Sequence, residues 1–314
     1  MNAQPTERPR SSSSPSGGSE IQSQIAIIRD VIERQAPEAG AVSALLAGAR
    51  RVRLLGAGES YHTAALGAWL FREVGLAALA DRSFDLAHYP GSFEPGDLVF
   101  ALSQEGVDED AQQLLARARD FGLPTIVLTG ANAPRWNADA TVELSGAPFP
   151  ALPAVWFAVA GGFLAALAAR LEPGSPPALS VSALPETLAE LSGTPPVSFE
   201  RNGQDLAAER RGLIIGSGPH LPAARALATA EHATGGYLRW SSHHDEAARI
   251  AHLLLRAGDL TIELNRAPAD GLPGVVTERG AAHWRVQPAE PSIGTAVSAL
   301  AALLPVQRFL ATTR

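Results

Sequence analysis

Three short stretches carry residue types able to do chemistry. The first is Gly58-Glu59-Ser60-Tyr61-His62, behind the turn Gly56-Ala57-Gly58. The second is Ser103-Gln104-Glu105, followed by Asp108. The third is His243-His244-Asp245-Glu246. Serine hydroxyls and a glutamine amide donate hydrogen bonds without adding charge, so Ser60, Ser103 and Gln104 suit an oxygen-rich ligand. Glu59, Glu105 and Asp108 fit three roles: contact with a cationic ligand group, divalent-metal binding, or acids at helix starts, where the dipole favours them. Tyr61 and His62 adjoin the first serine and are candidate substrate contacts, His62 alternatively a helix-start hydrogen-bonding group. In the third stretch Glu246 is a candidate base for proton transfer, because partial burial lifts a carboxyl towards neutrality. His243 or His244 is its candidate helper. The same stretch reads equally as a plain helix start capped by Ser242 or Asp245. Adjacent histidines on extended chain point opposite ways, which weakens a metal site there, and no metal is assigned.

The elements that must position these groups alternate. Arg51 to Gly56 reads as a strand and Ser60 to Val74 as a helix. Asp97 to Ser103 is a mostly apolar strand, Asp108 to Phe121 a helix with acids in its first turn, and Pro124 to Thr129 and Thr141 to Leu144 further strands. Phe84 to His88 reads as a short helix, and Ala151 to Leu171 as a long, buried one. Strand alternating with helix predicts an α/β fold built on a doubly wound parallel sheet. A second copy of the opening unit begins 160 residues on, with Gly216 and Gly218 where Gly56 and Gly58 stood, so two similar domains are expected in tandem. In that half Leu213 to Gly216, Asp259 to Leu264, Gly274 to Thr277 and Trp284 to Val286 are expected as strands. Pro222 to Thr234, Asp245 to Arg256 and Thr295 to Leu310 are expected as helices. Residues 1–19 are rich in Ser, Pro and Arg and read as a disordered tail. Residues 20–171 form the first domain. Its lead-in Glu20 to Arg34 carries isoleucines at helical spacing that could dock on a neighbouring surface. Residues 172–200, rich in proline, are the expected link with a short helix near Leu184 to Leu191, and 201–314 the second domain.

Composition removes several chemistries. The chain has 314 residues and no cysteine, so disulfides, zinc–thiolate sites and thiol catalysis are excluded. All 25 Lys+Arg residues are arginine, which excludes a lysine Schiff base and covalent attachment of pyridoxal phosphate. The formal charge of −7 with no basic face argues against nucleic acid or an anionic membrane as partner. No secretory signal is visible, and Val155 to Leu171 is short for a bilayer span. A cytoplasmic protein without a cofactor is expected.

The first domain resembles the SIS (sugar isomerase) domain. The resemblance rests on Gly58-Glu59-Ser60-Tyr61 after a strand, and on DLVFALSQEGVDEDA followed by a helix and PTIVLTG. Tandem domains at this spacing are similar to the isomerase half of glucosamine-6-phosphate synthase without its glutamine-hydrolysing half. The resemblance implies two flavodoxin-like SIS folds, a sugar derivative as ligand, aldose–ketose proton transfer and a homodimer. It also implies that the two loops, with Gly58 in the turn, hold a sugar phosphate through hydroxyls and backbone N–H groups. Ser60, Ser103, Gln104 and Gly106 match that pattern. Glu59, Glu105 and Asp108 stand where it has hydroxyl residues. Two unit charges about 4 Å apart interact by roughly 4 kcal/mol at the effective dielectric of a protein surface, so these acids disfavour a phosphate. The family's lysine-bearing closing tail has no counterpart before Arg314. The expected ligand is therefore an amino sugar or an unphosphorylated sugar-like metabolite. Glu246 matches the family's catalytic glutamate, with Arg249 where a histidine would stand. The alternative is a non-catalytic or degenerate SIS protein that binds a sugar derivative as a sensor or partner subunit.

Overall fold

A computed structural model describes residues 17–89, 91–145, 149–193, 200–201, 204–205, 211–233, 236, 238–264, 269–286 and 296–312. The chain enters through α1 (Gly17–Asp30), a π-helical turn (Val31–Gln35), α2 (Ala36–Glu38) and α3 (Gly40–Ala47). The first sheet takes β1 (Arg51–Gly56), β2 (Ala77–Arg82), β3 (Asp97–Ser103), β4 (Thr125–Gly130) and β5 (Ala140–Leu144). Between these strands run α4 (Gly58–Glu73), α5 (Ser83–His88) and α6 (Glu109–Asp120). Two helices follow, α7 (Val155–Leu171) and α8 (Pro176–Gly193), then a two-residue antiparallel ladder, β6 (Glu200–Arg201) with β7 (Gln204–Asp205). The second sheet takes β8 (Gly212–Gly216), β9 (Leu238–His243), β10 (Leu260–Glu263) and β11 (Ala282–Arg285). Its helices are α9 (His220–Ala233), α10 (Ala247–Leu254), α11 (Leu272–Glu278) and the closing α12 (Val297–Thr312).

Both sheets are parallel throughout, in the orders β2-β1-β3-β4-β5 and β11-β10-β8-β9. Counted within its own half, the second sheet has the order 2-1-3-4, the first sheet's order without a fifth strand. The α/β architecture of two parallel-sheet domains is therefore as the alternation predicted. The central strands are buried along both faces, β3 and β8 with apolar side chains on each, while β1 places Arg53, and β10 Thr261 and Glu263, on one of theirs. Val52, Leu54, Phe100 and Leu102 of the first sheet share one continuous core with Ile214, Leu260 and Ile262 of the second. That core is filled by α4, α7, α9 and α12, and Trp156, Phe157 and Phe163 of α7 are fully buried in it. Successive strand residues point to opposite faces. Val99, Ala101 and Val127 accordingly meet α6 on the outside, and Leu213 and Ile215 meet α10 and α11.

The two halves repeat one another in polar detail as well. Asp97 opens β3 and takes the Arg51 guanidinium at 2.7 and 2.9 Å and the Glu94 N–H at 2.8 Å. Asp259, just before β10, takes Arg211 at 3.0 Å and the Arg256 N–H at 2.8 Å. A glycine at positive φ precedes each aspartate, Gly96 at 88° and Gly258 at 91°. The tripeptide Gly-Asp-Leu at 96–98 and 258–260 was thus a second repeat signal.

Several expectations change. Ile21, Ile25 and Ile28 are buried in their own chain's core, so the apolar face of α1 is spent internally and does not await a neighbour. The stretch 272–278 is helical where a strand was expected over Gly274 to Thr277, with Pro273 in the first turn, where its missing N–H costs nothing. Most of the expected link is α8, which packs on α7, α12 and α1. The edge strands β2 and β9 escaped the apolar-run criterion. In β2 only Ala78 is buried, and β9 carries Arg239, Ser241, Ser242 and His243. The start of the expected tail, residues 1–16, lies outside the described residues.

Candidate functional site

The first sheet reverses its strand order between β1 and β3, and ligands of open parallel sheets bind in the crevice outside the strand ends at such a switch point. A cavity of about 480 Å³ lies there, lined by Ala57, Glu59 and Ser60 after β1, by Leu102 and Ser103 at the end of β3, and by Gln104, Glu105, Val107, Asp108 and Glu109 beyond it. A second hollow of about 490 Å³ adjoins it, sharing Gln104 and Glu105 and continuing to Asn132, Phe149 and Val155.

Local backbone chemistry makes the crevice. At Gly56 a Cβ would lie 2.6 Å from the Ser60 carbonyl carbon, so only glycine lets β1 run this close to the start of α4. Gly58 adopts φ 54° and turns the chain into the helix. Gly216 and Gly218 repeat both features, with a Cβ at Gly216 2.5 Å from the His220 carbonyl oxygen and Gly218 at φ 52°. On the β3 side Gly106, at φ 68°, lets its carbonyl accept the Trp136 indole N–H at 2.9 Å.

Within the cavity the groups divide by job. Ser60 is buried and its Oγ accepts the Trp156 indole N–H at 3.0 Å, leaving its own hydrogen to donate. Ser103 is 6% exposed and its hydroxyl has no hydrogen-bond partner among the described residues. Glu59 is partly exposed, and its Oε1 accepts the Phe157 N–H at 2.7 Å, capping α7 from 98 residues away. Burial pushes the Glu59 carboxyl up to about 7, against the opposing pull of the Phe157 and Trp156 N–H groups. Asp108 is the N-cap of α6: it accepts the Ala111 N–H at 3.0 Å and the Ser83 hydroxyl at 2.7 Å. Glu105 and Glu109 are exposed at the rim. Among the described residues the lining holds four carboxyl groups and no arginine or histidine.

Other candidate residues lie elsewhere. His62 points away from the crevice into the contact between α4 and α9, where its Nε2 is 3.3 Å from the Thr229 hydroxyl. Burial, with Arg82 and Arg225 nearby, pushes it down to about 4, so it is a neutral imidazole. The Tyr61 ring carries the Arg82 guanidinium 4.1 Å above it. His243 ends β9 and its Nδ1 pairs with Asp245, while Glu246 sits exposed in the 3-10 turn His244–Glu246, 3.7 Å from Arg249. None of His243, His244 and Glu246 lines the cavity. Among the described residues no group of three or more His, Asp or Glu side chains is arranged to hold a metal ion. No helix among them is long and apolar enough to cross a membrane. Sequence reasoning missed Trp156 as the partner of Ser60 and Glu59 as the cap of α7. Ala154, the N-cap of α7, supplies no cap of its own and adopts φ 57°, which nothing in the sequence pattern announces.

The Glu59 carboxyl has a consequence for stability. Its folded-state value lies above the ordinary one of 4.5. Folding therefore favours the protonated form, and stability falls as pH rises from about 4.5 to 7. Glu59→Gln keeps the acceptor oxygen and removes this loss. It is expected to stabilise the protein by up to about 2 kcal/mol at pH 8 after allowance for partial exposure, and by nothing near pH 4.5. Thermal melts across that range check it, with about 4–6 °C expected at pH 8. His62 acts oppositely, its contribution being lost as pH falls from 6.5 to about 4, and Glu59→Gln leaves that limb in place.

A family profile matches the part of the chain that builds this geometry. The family profile described as SIS domain matches residues 45–154, which hold β1 to β5 and every residue lining the cavity. None of the curated proteins matches by sequence. Among solved structures, the chain is similar to a protein of Silicibacter pomeroyi DSS-3 provisionally named a phosphosugar isomerase. That likeness has a TM-score of 0.74 at 16% identity, covering 95% of this chain and 96% of that one. It is similar to the C-terminal domain of glucosamine-fructose-6-phosphate aminotransferase from Francisella tularensis, with a TM-score of 0.69 at 13% identity, covering 95% of each chain. It is also similar to tagatose-6-phosphate ketose/aldose isomerase from Escherichia coli, with a TM-score of 0.66 at 17% identity, covering 95% of this chain and 93% of that one. At these identities the likeness is one of fold.

Proposed function

We propose that this chain is a sugar-isomerase-like protein whose switch-point cavity binds an amine-bearing or unphosphorylated sugar derivative. The observation that carries the reading is the lining: Ser60, Ser103 and Gln104 beside four carboxyl groups, with no cationic side chain among the described residues to hold a phosphate. The hydroxyls and the amide suit sugar oxygens, and the carboxylates suit an ammonium group. The second half, which repeats the strand order, the glycine turn and the buried Arg–Asp pair, is read as a second SIS domain. In the isomerase reading a carboxylate takes a proton from the carbon beside the sugar carbonyl and returns it to the neighbouring carbon. Glu246 is proposed for that step with His243 or His244 assisting, in a homodimer.

A second reading, a sugar-binding sensor or inactive partner subunit, is favoured by the exposure of Glu246, its pairing with Arg249 and its absence from the cavity lining. A melting-temperature screen over free sugars, amino sugars and phosphosugars, followed by NMR detection of aldose–ketose conversion, tests both. An amino sugar at 100 times its dissociation constant stabilises the protein by about 2.7 kcal/mol. Conversion abolished by Glu246→Gln supports the isomerase; binding without conversion supports the sensor. Stabilisation by phosphosugars alone contradicts the proposed ligand.

A further inference from the structure

The α7 helix starts in an unusual way. Its N-cap, Ala154, sits at φ 57° and provides no side-chain cap, yet the helix runs for 17 residues, and its first-turn Phe157 N–H meets Glu59, a residue of the cavity lining. Such a helix start carries partial positive charge and accepts anions. Here the seat is taken by this chain's own Glu59, whose Oε1 receives the Phe157 N–H at 2.7 Å. A second observation shows that the surroundings are built for a ligand. Ser103 is 6% exposed, lines the cavity, and its hydroxyl has no hydrogen-bond partner among the described residues. Ser60 beside it is fixed as an acceptor by Trp156 and keeps its own O–H to give.

We propose that Glu59 is the specificity-determining residue of the cavity: at pH 8 its carboxylate is an anion seated on the start of α7, and it bars a phosphate-bearing sugar from the hydroxyl and N–H donors around it. The inference rests on the reading of this cavity as the ligand site. It adds that exclusion of phosphate comes chiefly from one residue and not from acidity spread over the rim. Glu105 and Glu109 are exposed, so water and salt screen them, whereas Glu59 stands against the inner donors.

The test is a calorimetric titration of the full chain and its Glu59→Gln and Glu59→Thr variants with glucosamine 6-phosphate, glucosamine and inorganic phosphate at pH 8. Removing a like charge at hydrogen-bonding range is expected to tighten glucosamine 6-phosphate on the order of 10- to 100-fold in both variants. Glucosamine should not tighten with it. Glu105→Gln is expected to gain less than about threefold, as an exposed charge does. The proposal is overturned if Glu59→Gln, folded by its melting curve, binds glucosamine 6-phosphate no tighter than the parent. It is also overturned if Glu105→Gln gains as much. Failure of glucosamine to bind the parent would instead refute the proposed ligand, and the phosphate arm would still report on Glu59.

Discussion

Gly56→Ala is expected to cost more than about 3 kcal/mol and to leave the first domain unfolded at moderate urea concentrations. The added Cβ would lie 2.6 Å from the Ser60 carbonyl carbon and 2.7 Å from both the Ser60 oxygen and the Tyr61 nitrogen. These are backbone atoms of a helix start and have no rotamer through which to retreat. Gly216→Ala meets the His220 oxygen at 2.5 Å and the Leu221 Cα at 2.8 Å, and the same loss is expected in the second domain. Gly58 is the control. No atom of the described residues lies within 4 Å of its Cβ position, so Gly58→Ala costs only the left-handed conformation, about 1–2 kcal/mol. Urea unfolding of the three variants checks the order. A Gly56→Ala protein as stable as Gly58→Ala would show that the close approach of β1 to α4 is not what fixes the loop.

Asp97→Ala and Asp259→Ala are each expected to cost about 3–5 kcal/mol, because each leaves an arginine without its buried partner and a loop N–H without its acceptor. The two aspartates are 2% and 0% exposed, and Arg51 and Arg211 reach them from equivalent places at the starts of β1 and β8. Burial alone would raise the Asp97 carboxyl. The Arg51 guanidinium, the Glu94 N–H and Arg53 outweigh it and hold the group below the usual carboxylate range. Its stabilising contribution is therefore present above that range and lost as pH falls through it. Equal losses in denaturant melts of the two variants are expected from a repeated unit. A full loss in one and none in the other would mean that the second pair is decoration.

These two sites also show what the sequence could reveal. The apolar strands Val52 to Leu55 and Asp97 to Ser103, the glycine turns and the 160-residue repeat were legible because parallel sheets demand two apolar faces and a tight strand-to-helix turn demands glycine. The convergence of Ser60, Ser103, Gln104 and the acids followed from their places after β1 and β3. The edge strand β2 was not legible, since its Ala77-Ala78-Leu79-Ala80 run is mostly exposed and as compatible with helix. The segment 272–278 misled because Val275 and Val276 favour strand while Pro273 and the packing of α10 on α11 decide for helix. His62 looked like a ligand contact beside Ser60, but consecutive helical residues point in different directions, and His62 faces α9. The role of Glu59 was half legible. Its charge was plain, but its attachment to α7 depends on the left-handed Ala154, a tertiary result.

The central claim is that the crevice between β1 and β3 binds a sugar amine through the inner hydroxyls and the carboxylates. It is tested most directly by isothermal titration of glucosamine into the protein and its Ser103→Ala variant at pH 7. Ser103 is 6% exposed and its hydroxyl has no hydrogen-bond partner among the described residues, so the variant should keep its melting temperature and lose affinity about 3- to 10-fold. Saturable binding to the parent with that loss in the variant is the predicted result. Absence of glucosamine binding, or binding of equal strength in the two proteins, would contradict it.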